Sequence, residues 1–167
     1  MKDMLQIGKK VITDTHTYGT LSVAQIIQKS SNIGTAKIAM NNLSAEEMWN
    51  FYTSVGLGQA PKIGFPGAVA GTVHPYKKWM PTDQARIAFG YGISGSLFQV
   101  ARAYTIFARD GELVPLTIER SPEFKPGTHV ISAKTAMEMC SMMESVTEPG
   151  GTAIKAQAEG YRVGGKT

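Results

Sequence analysis

Ser30 and Asn32, two positions apart, carry a hydroxyl and a carboxamide, and Lys166-Thr167 at the other end of the chain carry an ammonium and a second hydroxyl. These are the groups that acyl transfer asks for around a nucleophile. A hydroxyl both gives and takes a proton, so Ser30 suits a shuttle toward a leaving amine. The Asn32 amide has two donors and an acceptor, matched to the backbone of a peptide substrate. Lys166 supplies a positive charge and Thr167 a hydroxyl beside it, a pair suited to clamping a terminal carboxylate. A charge-assisted hydrogen bond of that kind contributes about 1.5–3 kcal/mol net. The attacking atom itself is not found. No serine in the chain is followed three positions later by a lysine, the spacing that places an activating amine beside a nucleophilic hydroxyl on a helix. Taken singly, Ser30-Ser31-Asn32 also reads as a helix cap, and a Lys-Thr pair is commonplace.

The elements that must position these groups are mostly helical. Val11-Ile12-Thr13 reads as a short strand and Thr17–Thr20 as a turn. Val23, Ile26 and Ile27 fall at helical spacing within Leu21–Lys29, and Ile33, Ala36, Ile38 and Ala39 repeat it across Asn32–Asn42. The Ser30–Asn32 triplet is therefore expected at a helix–helix junction. Ser44-Ala45-Glu46-Glu47 is a capping box, followed by Met48, Phe51, Tyr52 and Val55 on one face and a stop at Gly56. Leu57–Pro81 is Gly- and Pro-rich and reads as a long loop. Phe89-Gly90-Tyr91-Gly92 precedes an amphipathic helix whose apolar stripe is Leu97, Val100, Ala101, Tyr104 and Phe107, ending at Gly111. A strand is expected over Leu113–Ile118, with Pro115 tolerated only near an edge. Ser132 caps a methionine-rich helix to about Val146, with Ala136, Met137, Cys140 and Met143 as its core stripe. Glu148–Thr152 is a sharp turn, and Tyr161-Arg162-Val163 begins a strand ending at Thr167.

Composition narrows the function classes. Apolar residues make up 43% and charged residues 18% of 167, which is globular rather than disordered. The net charge of +4 comes without an aromatic-interleaved basic tract, so a nucleic-acid partner is not expected. His16, His74 and His129 lack metal-ligand spacing, and the single cysteine, Cys140, reads as a core thiol. No apolar run approaches the roughly 18 residues of a spanning helix, and Met1-Lys2-Asp3-Met4 does not resemble a targeting segment.

Longer stretches carry a resemblance. Ile26-Ile27-Gln28-Lys29-Ser30-Ser31-Asn32-Ile33-Gly34 resembles the second motif of class B penicillin-binding proteins. Phe89–Ile93 with Leu97–Tyr104 is similar to their following helix. Met142–Thr152 and Gly160–Thr167 are similar to the approach to their third motif. Within that group the likeness is to the division-type peptidoglycan D,D-transpeptidases. The resemblance implies an α+β transpeptidase domain, a central antiparallel sheet flanked by helices. It implies an acyl-serine reaction that cross-links D-Ala-D-Ala stem peptides and is blocked by β-lactams, with no cofactor.

By motif, Ser30 and Asn32 carry over as the proton-relay and substrate-orienting pair, and Lys166 and Thr167 as the carboxylate-binding strand. Ser31 is the variable middle residue and receives no role. The expected partners are peptidoglycan stem peptides, β-lactams and divisome proteins, at the periplasmic face of the bacterial inner membrane. Residues 1–167 are expected to be part of such a domain, with the Ser-x-x-Lys serine before Met1 and further strands after Thr167. On that expectation the chain alone is inactive and poorly stable. A serine β-lactamase segment and a non-catalytic interaction module are the alternatives.

Overall fold

The computed structural model describes residues 3–120, 123 and 125–167. Met1 and Lys2, on which part of the targeting argument rests, lie outside them. The chain divides into two compact units.

The first unit comprises Met1–Ser44, Met80–Tyr91 and Glu138–Thr167. It opens with an antiparallel hairpin, β1 (Met4–Ile7) and β2 (Lys10–Thr13), registered Met4 opposite Thr13. Two consecutive helices follow, α1 (Val23–Lys29) and α2 (Asn32–Asn42). α1 begins two residues later than its apolar period suggests. Ser22 caps it through a Ser-x-x-Gln box, with Gln25 N–H to Ser22 Oγ at 3.3 Å and Ser22 N–H to Gln25 Oε1 at 2.8 Å. A short helix, α4 (Pro81–Ile87), packs on α2, and Gln84 Nε2 donates to the Leu43 carbonyl at 2.8 Å. The core of this unit is Ile12, Ile33, Ala36 and Ala85, with Leu5, Ile7, Met40 and Phe89 against them.

The second unit comprises Ala45–Trp79 and Gly92–Met137. It contains α3 (Ala45–Ser54), α5 (Leu97–Ala108) and a minimal ladder of β3 (Glu112–Leu113) with β4 (Thr128–His129). Val55, Ile106 and Leu113 form its core. The Leu57–Pro81 segment is largely irregular, as expected, broken by a 3-10 turn at Tyr76–Lys78 and a bridge from Thr72 to Ser94. Gln99 holds it. This fully buried side chain donates to the carbonyls of Gly56, Gln59 and Ala70 at 2.9–3.1 Å, while its oxygen accepts from Ser96. The remaining helix, α6 (Ala133–Glu144), runs on from Ser132, whose Oγ accepts the Thr135 N–H at 3.1 Å.

Several expectations need correction. Among the described residues the antiparallel pairing expected of the fold takes the form of two short two-stranded ladders. The strand over Leu113–Ile118 stops after Leu113. Val114 spends its N–H on Thr105 Oγ1 and its carbonyl on Arg102 Nε, and Pro115 has no N–H to continue a ladder. Tyr161–Thr167 forms no strand; it is tied instead to the end of α6. The α5 stripe is inverted, because Gln99 and Ile106 are buried while Leu97, Val100 and Tyr104 are exposed, Leu97 at 85%. In α6, Ala136 and Met143 are core, as expected, but Met137 is 67% exposed. α4 was hidden by its brevity. Pro81 at its first position and the Asp83 carboxylate accepting the Met80 N–H at 2.9 Å were the available signals.

Candidate active site

The junction between α1 and α2 is a single left-handed residue. Ser30 ends α1 at φ 57°, ψ 44°, with its own N–H on the Ile27 carbonyl and the next N–H reaching back to Ile26 at 3.0 Å. This is the helix-ending turn usually given to glycine, and a side chain there costs roughly 1 kcal/mol. The reversal lets α2 restart at once, leaving the Ser30 hydroxyl half-exposed at the break.

Ser31, given no role from sequence, is what holds the junction. It is 2% exposed and caps α2, accepting the Gly34 N–H at 2.9 Å. Its hydroxyl donates to Asp14 Oδ2 at 2.6 Å, and the other Asp14 oxygen accepts the Ile33 N–H at 3.0 Å. A serine directly before an apolar helical period is an N-cap signal that could have revealed this. Asp14, a lone acid after a strand, offered none. Gly34 completes the joint. A Cβ there would stand 2.6 Å from Ile26 Cγ1, so only glycine lets the first turn of α2 close on α1.

The carboxyl-terminal segment reaches this junction from the end of α6. Thr147 Oγ1 donates to the Val163 carbonyl at 2.8 Å, and the Gly165 N–H donates to the Met143 carbonyl at 3.2 Å. From the other side, Gln28 Nε2 binds the Ser145 carbonyl at 3.2 Å and Lys29 Nζ the Gly150 carbonyl at 2.7 Å. Four residues at the end of α6 and in the turn after it, Met143, Ser145, Thr147 and Gly150, are thereby stitched to α1 and to residues 163–165.

These contacts deliver Lys166 to Ser30, 136 positions away in sequence. Lys166 Nζ donates directly to Ser30 Oγ, and also to the Thr167 carbonyl at 2.6 Å. Ser30 Oγ in turn donates to that carbonyl at 3.2 Å. Desolvation at this contact holds the Lys166 ammonium below the ordinary lysine value of 10.5. The Thr167 hydroxyl pairs with Thr152 Oγ1 at 2.6 Å, a partner that no motif singles out. Asn32 stands at the first position of α2, where Nδ2 makes a long 3.5 Å contact with the Thr13 carbonyl rather than with Ser30 or Lys166. Three of the four candidate residues thus meet in one cluster, and Asn32 is adjacent through the helix junction. Among the described residues no group of His, Cys, Asp and Glu is placed to hold a metal ion, and no helix is long and apolar enough to cross a membrane.

The chain that carries this cluster is similar to known proteins. The family model of the penicillin binding protein transpeptidase domain matches residues 3–167, and the chain belongs to that family. Among curated relatives, the probable peptidoglycan D,D-transpeptidase PenA of Neisseria flavescens is 44% identical over 97% of this chain. The FtsI peptidoglycan D,D-transpeptidase of Escherichia coli (strain K12) is 33% identical over the same share. This chain spans 40% of the first and 27% of the second. The transpeptidase domain of Burkholderia pseudomallei penicillin-binding protein 3 superposes with a TM-score of 0.94 at 53% identity, covering 99% of this chain and 50% of that one. A Burkholderia ambifaria structure described as a peptidoglycan glycosyltransferase gives 0.93 at 53% identity, over 98% of this chain and 52% of its own. The fold is accordingly that of the penicillin-binding transpeptidase domain, helices with small antiparallel ladders in the part spanned here.

Proposed function

We propose that this chain is the part of a peptidoglycan D,D-transpeptidase that relays protons and binds the substrate's terminal carboxylate. The observation that carries the reading is the direct contact of Lys166 Nζ with Ser30 Oγ. A nucleophilic serine, held by a Ser-x-x-Lys motif outside these residues, attacks the carbonyl of a D-Ala-D-Ala bond. An ester C–O bond forms, the peptide C–N bond breaks, and D-alanine leaves with the proton it needs as an amine. Ser30 is the hydroxyl that passes that proton on. Lys166, as an ammonium donating to Ser30, turns the hydroxyl's own proton toward the leaving nitrogen and stabilises negative charge near it. In the second step the amine of a neighbouring stem attacks the ester, a C–N bond forms as the ester C–O bond breaks, and the amine's proton passes to the released serine oxygen.

Asn32, with its amide engaged only by a long contact, orients the substrate backbone. Lys166 and Thr167 hold the terminal carboxylate through the ammonium and the hydroxyl. β-Lactams, which carry the same carboxylate beside a strained amide, acylate the same serine. The reading sets the reaction at the periplasmic face of the inner membrane, with divisome proteins as partners of the complete enzyme. Support comes from the family membership, from the relatives' names and from the Ser30–Lys166 geometry.

The test is acylation by a labelled penicillin in a polypeptide that continues this segment through a Ser-x-x-Lys motif. Ser30→Ala is expected to slow acylation by about 10²- to 10⁴-fold, the usual worth of a positioned proton relay. An unchanged rate would remove Ser30 from the mechanism.

A further inference from the structure

Beside Asn32 the first unit carries a cavity of about 260 Å³ whose wall combines two cations, aromatic rings and the Asn32 carboxamide. Lys10 and Thr13 begin and end β2, Arg86 lies in the last turn of α4, and Phe89 and Tyr91 follow it. The Arg86 guanidinium carbon sits 3.5 Å from the centre of the Tyr91 ring. Such a stack uses the face of the guanidinium and leaves the N–H groups along its edge available to an in-plane acceptor. No acidic residue lines the cavity, and neither Arg86 nor Lys10 has an ion-pair partner among the described residues. The cavity therefore concentrates two positive charges with no counter-charge of its own. Its volume suits one side chain rather than a whole peptide, since sites for complete small ligands start at roughly 300 Å³.

We propose that this cavity is a carboxylate subsite, taking a side-chain carboxylate of the acyl-donor peptide. The identity of that peptide rests on the reading of Ser30, Asn32 and Lys166 above; the charge and shape of the cavity do not. Arg86, stacked on Tyr91, binds the carboxylate along its edge, and Lys10 adds attraction from the opposite end of β2. The subsite is separate from the Lys166–Thr167 clamp, so a donor with two carboxylates would be held at both and its reacting bond fixed between them.

Two probes separate the subsite from the functional reading. The first is glutarate, a plain dicarboxylate, titrated into a polypeptide completed through Ser-x-x-Lys while the backbone amide resonances of Thr13, Asn32 and Tyr91 are followed. Saturable shifts are expected, weakened about tenfold by Arg86→Gln in a variant whose spectrum stays dispersed. Glutarate binding to Arg86→Gln and to Lys10→Gln with wild-type affinity would overturn the proposal. The second probe is a peptide pair, acetyl-Glu-D-Ala-D-Ala and acetyl-Gln-D-Ala-D-Ala. The acidic peptide is expected to bind about tenfold more tightly, with the preference shrinking in high salt and vanishing in Arg86→Gln. Equal affinity of the wild-type chain for both peptides would also overturn it. If glutarate responds to Arg86→Gln while neither peptide binds, the subsite stands and the transpeptidase reading falls.

Discussion

Ser31 and Ser30 are neighbours with opposite duties, and the sequence distinguishes them poorly. Ser31 is buried, caps α2 and satisfies Asp14. Ser30 sits in a strained left-handed conformation and keeps its hydroxyl at the surface of the junction, against Lys166. Strain of this kind persists where surrounding structure over-determines it, here through the cap on one side and the Gln28 and Lys29 contacts on the other. Ser31→Ala deletes a cap, worth about 0.5–2 kcal/mol, and takes one partner from a buried carboxylate. We expect a loss of about 2–3 kcal/mol in urea unfolding. A loss below about 0.5 kcal/mol would show that the Asp14 link is not holding the junction.

Between elements, two contacts can be tested independently. Gly34→Ala forces a methyl group into Ile26, and overpacking of this kind costs about 1–3 kcal/mol. Trimming the neighbour, as in Ile26→Val with Gly34→Ala, is expected to recover part of that loss in thermal melts. Strictly additive losses would mean the clash is relieved elsewhere. In the second unit, Glu112 ties β3 to the chain before β4. Its carboxylate accepts the Gly127 N–H at 2.5 Å and pairs with Arg109 at 2.7 Å. The Gly127 bond first, then Arg109, hold its titration below the ordinary 4.5. A carboxyl group lowered in the folded state contributes stability that is full above pH 4.5. That contribution is lost as pH falls through the folded-state value. Melting temperature should therefore decline on acidification below pH 4.5, and Glu112→Gln should flatten the decline. An identical acid profile in the variant would contradict this role.

The whole molecule shows where pattern reading stops. Helical periodicity and cap residues located α2 at its observed bounds and α1, α3, α5 and α6 within a few residues, because those signals are local. The direction of each helix face was not local. Of the apolar stripe of α5, Leu97, Val100 and Tyr104 face outward while Phe107 packs on the core, and Gln99, a polar residue, takes a buried position by donating to three loop carbonyls. Likewise the residues of Tyr161–Thr167 suit a strand, yet its backbone is engaged by Thr147 and Met143 at the end of α6. The candidate residues Ser30, Asn32, Lys166 and Thr167 stand out by motif spacing and family likeness, and the structure brings Ser30, Lys166 and Thr167 into contact. Ser31 carries an N-cap signal, whereas Asp14 and Thr152 carry none, since their roles exist only once the chain has folded.

In the proposed mechanism the Ser30 hydroxyl and the Lys166 ammonium act as one unit. A double-mutant cycle tests it most directly, measuring the penicillin acylation rate of Ser30→Ala, Lys166→Gln and the pair together in a polypeptide completed through Ser-x-x-Lys. The contact predicts strong non-additivity, with the double variant about as slow as the slower single one. Losses that multiply, each substitution slowing the reaction by its full factor in the presence of the other, would show that the two groups work independently.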